Sequence, residues 1–251
     1  MSFPLVDRWF TAALIAFTAV ELLSLLGFAS PEIGLALAGG LALISLGLTW
    51  QRLEWGIYLI FAELFVGGKG YLFSLPLAGG RVSLRILLFI IVLGVWTVRH
   101  LPRRGNRGQK SGSTVPLLST LLMVAIGWGI VIGLFRYPMA DVYFDANGWL
   151  FFLLLPVLLT TLTHHRQFQR LFQLLLASQI VVAGKTLLLL YLFGHVDVGT
   201  LEPLYRWVRD TGVGEITLVT GTLHRIFFQS HLYTLVGWLV VMTLVSTRFW
   251  Q

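Results

Sequence analysis

From Trp9 to Val245 the chain is a series of apolar runs, most of them close to the ~20 helical residues that cross a bilayer. Nothing constrains its fold more. Of 251 residues, 57% are hydrophobic and only 12% charged, with a mean hydropathy of +0.83. An ordinary soluble domain carries about twice that charged fraction. There is too little polar surface here to cover a soluble globule. The expected fold is all-α, a polytopic transmembrane helix bundle forming a single domain over 1–251.

Turn signals divide the bundle into about eight spans. They run Trp9–Ala29, Ile33–Trp50, a third from Trp55, Val82–Val98, Val115–Phe135, Trp149–Leu162, Leu171–Phe193 and Ile226–Val245. The third is broken: it meets Gly67-Gly68-Lys69-Gly70, resumes as Tyr71–Leu77 and stops at Ala78-Gly79-Gly80, so one interrupted segment is expected near 67–80. Backbone of that kind survives at membrane depth only where protein or a polar cavity satisfies its amides. A long polar loop, 194–225, separates the last two spans.

Basic residues orient the bundle. Arg99, Arg103, Arg104, Arg107 and Lys110 lie in one short loop with no acid, which places that loop in the cytoplasm. Alternation adds Arg8, Arg52, Arg166, Arg170 and Arg248 to the same side, puts both termini there, and leaves 194–225 on the periplasmic or extracellular face. The first apolar run ends without a small-residue cleavage site and reads as a retained helix. Much of the net charge of +7 is thus explained by membrane topology, not nucleic acid. With no cysteine there is neither a disulfide framework nor thiol chemistry.

The outward face keeps cations that topology does not require. Arg81 and Arg85 open the fourth span at i, i+4, where two like charges share a face beside the positive end of the helix dipole. A bound anion would relieve both penalties, and a helix N-terminus with arginines suits phosphate. At the last span, a helix starting near Thr222 would align His224, Phe228 and His231, with Arg225 and Gln229 on the adjoining face. A histidine there has the pKa of a general base. Arg85, Arg225, His224 and His231 are therefore the candidate catalytic residues. Lys69, Arg81, Arg206, Arg209 and Gln229 are the candidates for substrate binding. Each also has a plainer reading, as an interfacial cation or a hydrogen-bonded histidine. Glu21, Glu63 and Lys185 lie inside spans, and a Lys185–carboxylate pair locking helices together is expected. Trp149, Trp207, Tyr137 and Tyr143 read as interfacial anchors. No metal site is expected, because no carboxylate stands at ligand spacing beside the histidines; without a nucleotide loop, no cofactor is expected either.

Three stretches, YLFSLPLAGGRVSLRILLF (71–89), DANGWLFFLLLPVL (145–158) and GEITLVTGTLHRIFFQSH (214–231), together resemble the O-antigen ligase and O-antigen polymerase family of bacterial envelope glycosyltransferases. The resemblance implies a metal-independent enzyme of the cytoplasmic (inner) membrane. Its donor would be a glycan on undecaprenyl diphosphate, its acceptor a glycan or lipid, and membrane lipids its surroundings. Family members carry more spans, which implies a truncated or split chain completed by a C-terminal partner, or else a divergent member. The alternatives are a transporter or flippase of anionic lipid-linked glycans, or a non-catalytic half of a split enzyme. An absence of repeated halves, with buried charges confined to one leaflet, favours the enzyme.

Overall fold

The structure is a computed structural model and describes residues 6–68, 71–77, 80–100, 114–221 and 223–249. Helices dominate it. Three are long and apolar enough to cross a membrane: α1 (Arg8–Ala29), α2 (Pro31–Gln51) and α8 (His165–His195). The apolar stretches Thr120–Arg136, Gly148–Thr161 and His231–Thr243 are shorter.

Local chemistry sets the boundaries. Asp7 caps α1 by accepting a 2.9 Å hydrogen bond from the Phe10 amide. Ser30 breaks the helix, and Pro31, which has no amide to lose, opens α2. The two helices meet through glycines: a Cβ on Gly34 would lie 2.6 Å from the Gly27 carbonyl oxygen. Arg52 separates α2 from α3 (Leu53–Gly67). A hairpin of β1 (Ser74–Leu77) and β2 (Gly80–Ser83) then leads into α4 (Leu84–His100).

Next come α5 (Thr114–Arg136) and α6 (Met139–Leu150), then a 3-10 turn at Phe151–Leu153 before α7 (Leu154–Thr161). Pro156 accounts for that turn, since it has no amide to donate and its ring crowds the carbonyl four residues back, at Phe152. After α8 come α9 (Glu202–Asp210), β3 (Gly214–Thr220), β4 (Leu223–Phe228) and α10 (His231–Phe249). The core lies among α1–α4, α7 and α8, with Ala38, Val92, Val157 and Ala177 fully buried. By contrast α5 packs along α6 and α7 and shows Trp128 and Phe135 to the surroundings.

The all-helical expectation is corrected in two places. Ser74–Leu77 pairs antiparallel with Gly80–Ser83, and Gly214–Thr220 with Leu223–Phe228, the second pair in the register Ile216–Ile226, Thr217–Arg225. Thus the third segment does not resume as helix after Gly67, and the loop after α8 is a short helix followed by a hairpin. The last helix starts at His231, not near Thr222, because 223–228 is committed to pairing with 214–220.

Side-chain contacts separate two ends of the bundle. At one, Trp9 Nε1 donates to the Arg170 carbonyl, Gln167 Nε2 donates to Glu54 at 2.7 Å, and Arg99 donates to the Trp50 carbonyl. Trp9, Trp55 and Tyr58 pack ring on ring there, with the Arg170 guanidinium over Trp9. The other end holds both hairpins and α9, and with them the buried polar groups Glu21, Ser24, Thr211 and Ser230.

Candidate functional site

Two ion pairs cross-link the interior at the hairpin end. Arg85, in the first turn of α4, grips Glu63 of α3 with both prongs: Nε to Oε2 at 2.5 Å and Nη2 to Oε1 at 3.0 Å. The side chains are 13% and 8% exposed, so water contributes little to solvating either charge. Lys185 of α8 pairs with Glu21 of α1, which is the expected Lys185–carboxylate lock. The Lys185 ammonium also lies 4.2 Å from the Phe228 ring centroid and 5.6 Å from that of Trp207.

Trp207 is not an interfacial anchor. It is 3% exposed and donates to Ser24 Oγ at 3.2 Å, while that hydroxyl donates to the Leu72 carbonyl at 2.9 Å. A tryptophan in a polar loop suits an interface by sequence alone, whereas here tertiary packing buries the indole. In the structure α9 lies over the bundle and turns that one ring inward.

His231 has both ring nitrogens engaged. The Phe228 amide donates to Nδ1 at 3.4 Å, which leaves the proton on Nε2. The Thr186 hydroxyl spends its only hydrogen on the Val182 carbonyl at 2.7 Å, so at 3.0 Å it accepts from His231 Nε2. The imidazole thus ties α8 to the turn before α10 as a neutral ring. His224 sits on β4, half-buried, its ring 5.4 Å from that of Phe193. The helical alignment of His224, Phe228 and His231 is therefore overturned: the first two are strand residues and only the third is helical.

Arg81 and Arg85 do not share a helix face either. Arg81 lies in β2, paired with Pro76, and α4 begins three residues later. The side chain of Arg81 and all of Lys69 fall outside the described residues. Arg225 pairs with Thr217 on the face of the hairpin that also carries Glu215 and Phe227, opposite to buried Ile226 and Phe228, and is exposed. Arg206 and Arg209 are exposed on α9. Arg206 bonds Glu202 at 2.6 Å and Arg209 bonds the Tyr205 hydroxyl at 2.7 Å, bonds that raise both guanidinium pKa values.

The candidates that do come together are Arg85 and Gln229, through two glycines. A Cβ on Gly67 would stand 3.1 Å from Glu63 Oε1 and 3.5 Å from Arg85 Nη2. One on Gly68, whose φ is +60°, would stand 2.9 Å from Gln229 Cβ and from the Ser230 amide nitrogen. Only glycine fits at Gly68, both for its φ and for this approach. The C-terminus of α3 and the N-termini of α4 and α10 therefore converge on the Arg85–Glu63 pair. Tyr233 joins them, its ring 5.4 Å from Phe65. Ser230 Oγ is buried there with no hydrogen-bond partner among the described residues.

Sequence reasoning passed over Glu63, Ser230 and Tyr233 as site residues. For Glu63 a signal existed: an intramembrane carboxylate needs a cationic partner, and Arg85 is the cation that opens the next apolar span. Among the described residues no group of three or more His, Asp or Glu is arranged to hold a metal ion. Comparison of the chain with protein-family models, with curated proteins and with solved structures finds no match.

Proposed function

We propose that the chain is a membrane glycosyltransferase of the O-antigen ligase and polymerase type. It moves a glycan from an undecaprenyl-diphosphate donor to a glycan or lipid acceptor at the outer face of the bacterial cytoplasmic membrane. In this reading the bundle has about eight spans, both termini are cytoplasmic, and the hairpin end faces outward.

The observation that carries the reading is the setting of Arg85. It stands at the N-terminus of α4, beside the N-terminus of α10, with Glu63 fixing two of its prongs. Helix N-termini and a guanidinium are complementary to a diphosphate. In glycosyl transfer the acceptor hydroxyl oxygen bonds to the anomeric carbon and gives up its proton to water as the bond from that carbon to the phosphate oxygen breaks, so negative charge grows on the leaving diphosphate. A cation already oriented by a carboxylate meets that charge with little reorganisation. With His231 held as a neutral structural ring, Arg85 and Gln229 become the core of the site. Arg225, Arg206 and Arg209 form an outlying cationic fringe that draws the donor in.

Reconstitution of the full chain in vesicles with an undecaprenyl-diphosphate oligosaccharide and a lipid-linked acceptor tests this. New glycosidic product, with release of undecaprenyl diphosphate and no added metal or nucleotide, is the expected result. Movement of the donor between leaflets without product would establish the transporter instead.

A further inference from the structure

A cavity of about 460 Å³ opens beside this site, between the α1–α2 corner, residues 71–74 and the end of α9. Its size suits a small ligand. Phe28, Tyr71 and Phe73 supply aromatic walls, and Glu32 and Asp210 supply carboxylates; among the described lining residues there is no Lys, Arg or His. The walls are fixed by bonds that use none of these five side chains. Ser24 donates to the Leu72 carbonyl at 2.9 Å, Trp207 donates to Ser24, and the Tyr71 amide donates to the Thr211 carbonyl at 2.6 Å. The pocket is therefore formed before anything enters it. Neither Glu32 nor Asp210 makes an ion pair among the described residues.

We propose that this cavity is a saccharide subsite which takes the uncharged, hydroxyl-rich end of the acceptor. The inference rests on the glycan-transfer reading and names the second substrate's place in it. Two carboxylates repel a diphosphate, which excludes the donor's head. An ionised carboxylate is acceptor-only and takes hydrogen bonds from neighbouring hydroxyls, while an aromatic wall covers the apolar face of a sugar ring. Arg206 and Arg209 stand close enough to Asp210 to feel its charge, so a cationic ligand is not required to balance it.

The position fits the role. Leu72 and Phe73 are the wall between the cavity and the arginine. Leu72 Cδ1 lies 3.5 Å from the point where a Gly67 Cβ would touch Arg85, and the Phe73 carbonyl accepts from the Leu84 amide at 3.0 Å, one residue before Arg85. Acceptor and diphosphate would thus be held on adjacent sides of a single thickness of chain.

The test uses the purified full chain in lipid nanodiscs and saturation-transfer NMR with two probes, a neutral N-acetylhexosamine disaccharide and a uronic-acid disaccharide. The neutral probe should bind and the anionic one should not. Glu32→Gln with Asp210→Asn, and separately Tyr71→Ala, should each weaken binding about tenfold, the scale of a lost charge-assisted hydrogen bond or ring contact. Glu202→Gln, outside the cavity, should leave it unchanged, and melting temperatures confirm that each variant is folded. Equal binding by the double variant, preference for the uronate, or no binding of the neutral probe overturns the subsite. Transfer with an unchanged acceptor KM in the double variant also removes the subsite and leaves the transfer reading standing. Saccharide binding that needs Glu32 and Asp210, in a chain that transfers nothing, removes the transfer reading and keeps the subsite.

Discussion

Arg85 and Glu63 make a coupling that can be measured without any substrate. Arg85→Ala deletes both prongs and leaves a carboxylate whose side chain is 8% exposed without its main counter-charge. Removing one member of a buried pair costs about 3–5 kcal/mol, because the survivor stays desolvated and uncompensated. Glu63→Leu strands the guanidinium and should cost a similar amount. The double variant, with neither charge, needs no compensation and should lie within about 1–2 kcal/mol of the wild-type chain. The cycle should therefore show a coupling of at least ~4 kcal/mol, well above the 0.3–0.5 kcal/mol scatter of independent sites. Reversible unfolding in mixed micelles, followed by far-UV circular dichroism against denaturing-detergent fraction, gives all four free energies. Additive single variants would show that the pair is not a unit, and the view of Arg85 as pre-oriented by Glu63 would fall with it.

Other expectations follow from single contacts. Gly68→Ala should destabilise the chain by at least ~1–2 kcal/mol, since a Cβ at φ +60° is strained and would meet Gln229 and Ser230 at 2.9 Å; a wild-type unfolding midpoint would contradict the close approach. Asp7→Ala should cost about 0.5–2 kcal/mol by uncapping α1. The Phe10 amide holds the Asp7 pKa below its usual value, so the cap's contribution is present above the unfolded-state pKa and is lost as pH falls through the lower folded one. Acid titration of Asp7→Asn should accordingly lack that loss. His231→Gln should lower stability while leaving the pH profile of transfer unmoved near neutrality, because both nitrogens are already bonded; loss of the acidic limb would make it the base. Single cysteines at Ser113 and Thr200, in a chain with none of its own, should label from opposite faces of the membrane, and labelling from one face would overturn the topology.

Much of the helical skeleton was legible because its signals are local. Ser30-Pro31, the polar turn at Gln51–Glu54 and the long apolar run into Phe193 each mark a boundary that depends on no partner. The lock between Lys185 and a carboxylate was legible too, since an isolated charge in a span is prohibitive whatever the fold. Which carboxylate it meets was not, because the pairing of α1 with α8 is tertiary. The 214–228 hairpin was written in the sequence: Ile216, Thr217, Val219 and Thr220 precede Gly221, which adopts φ +55° at the turn, and a second β-rich run follows. Its second strand is hard to tell from a helix start because Ile226-Phe227-Phe228 abuts the apolar run of α10. The same ambiguity between a short strand and a helix start applies to Arg81, which lies in the strand Gly80–Ser83. Arg225 then fell on an exposed strand face, outside the cluster to which the helical pattern had assigned it.

The most direct test of the central claim is transfer by Arg85 variants reconstituted at wild-type levels. An arginine that stabilises a leaving diphosphate contributes on the order of 3 kcal/mol, or about a hundredfold in rate. Lysine keeps the charge but not the two-pronged geometry toward Glu63 and phosphate. The expected order of glycan transferred from the undecaprenyl-diphosphate donor is wild type, then Arg85→Lys at an intermediate rate, then Arg85→Ala at or below one part in about a hundred. Near-normal transfer by a folded, inserted Arg85→Ala chain would contradict it and leave the Arg85–Glu63 pair as a helix lock only.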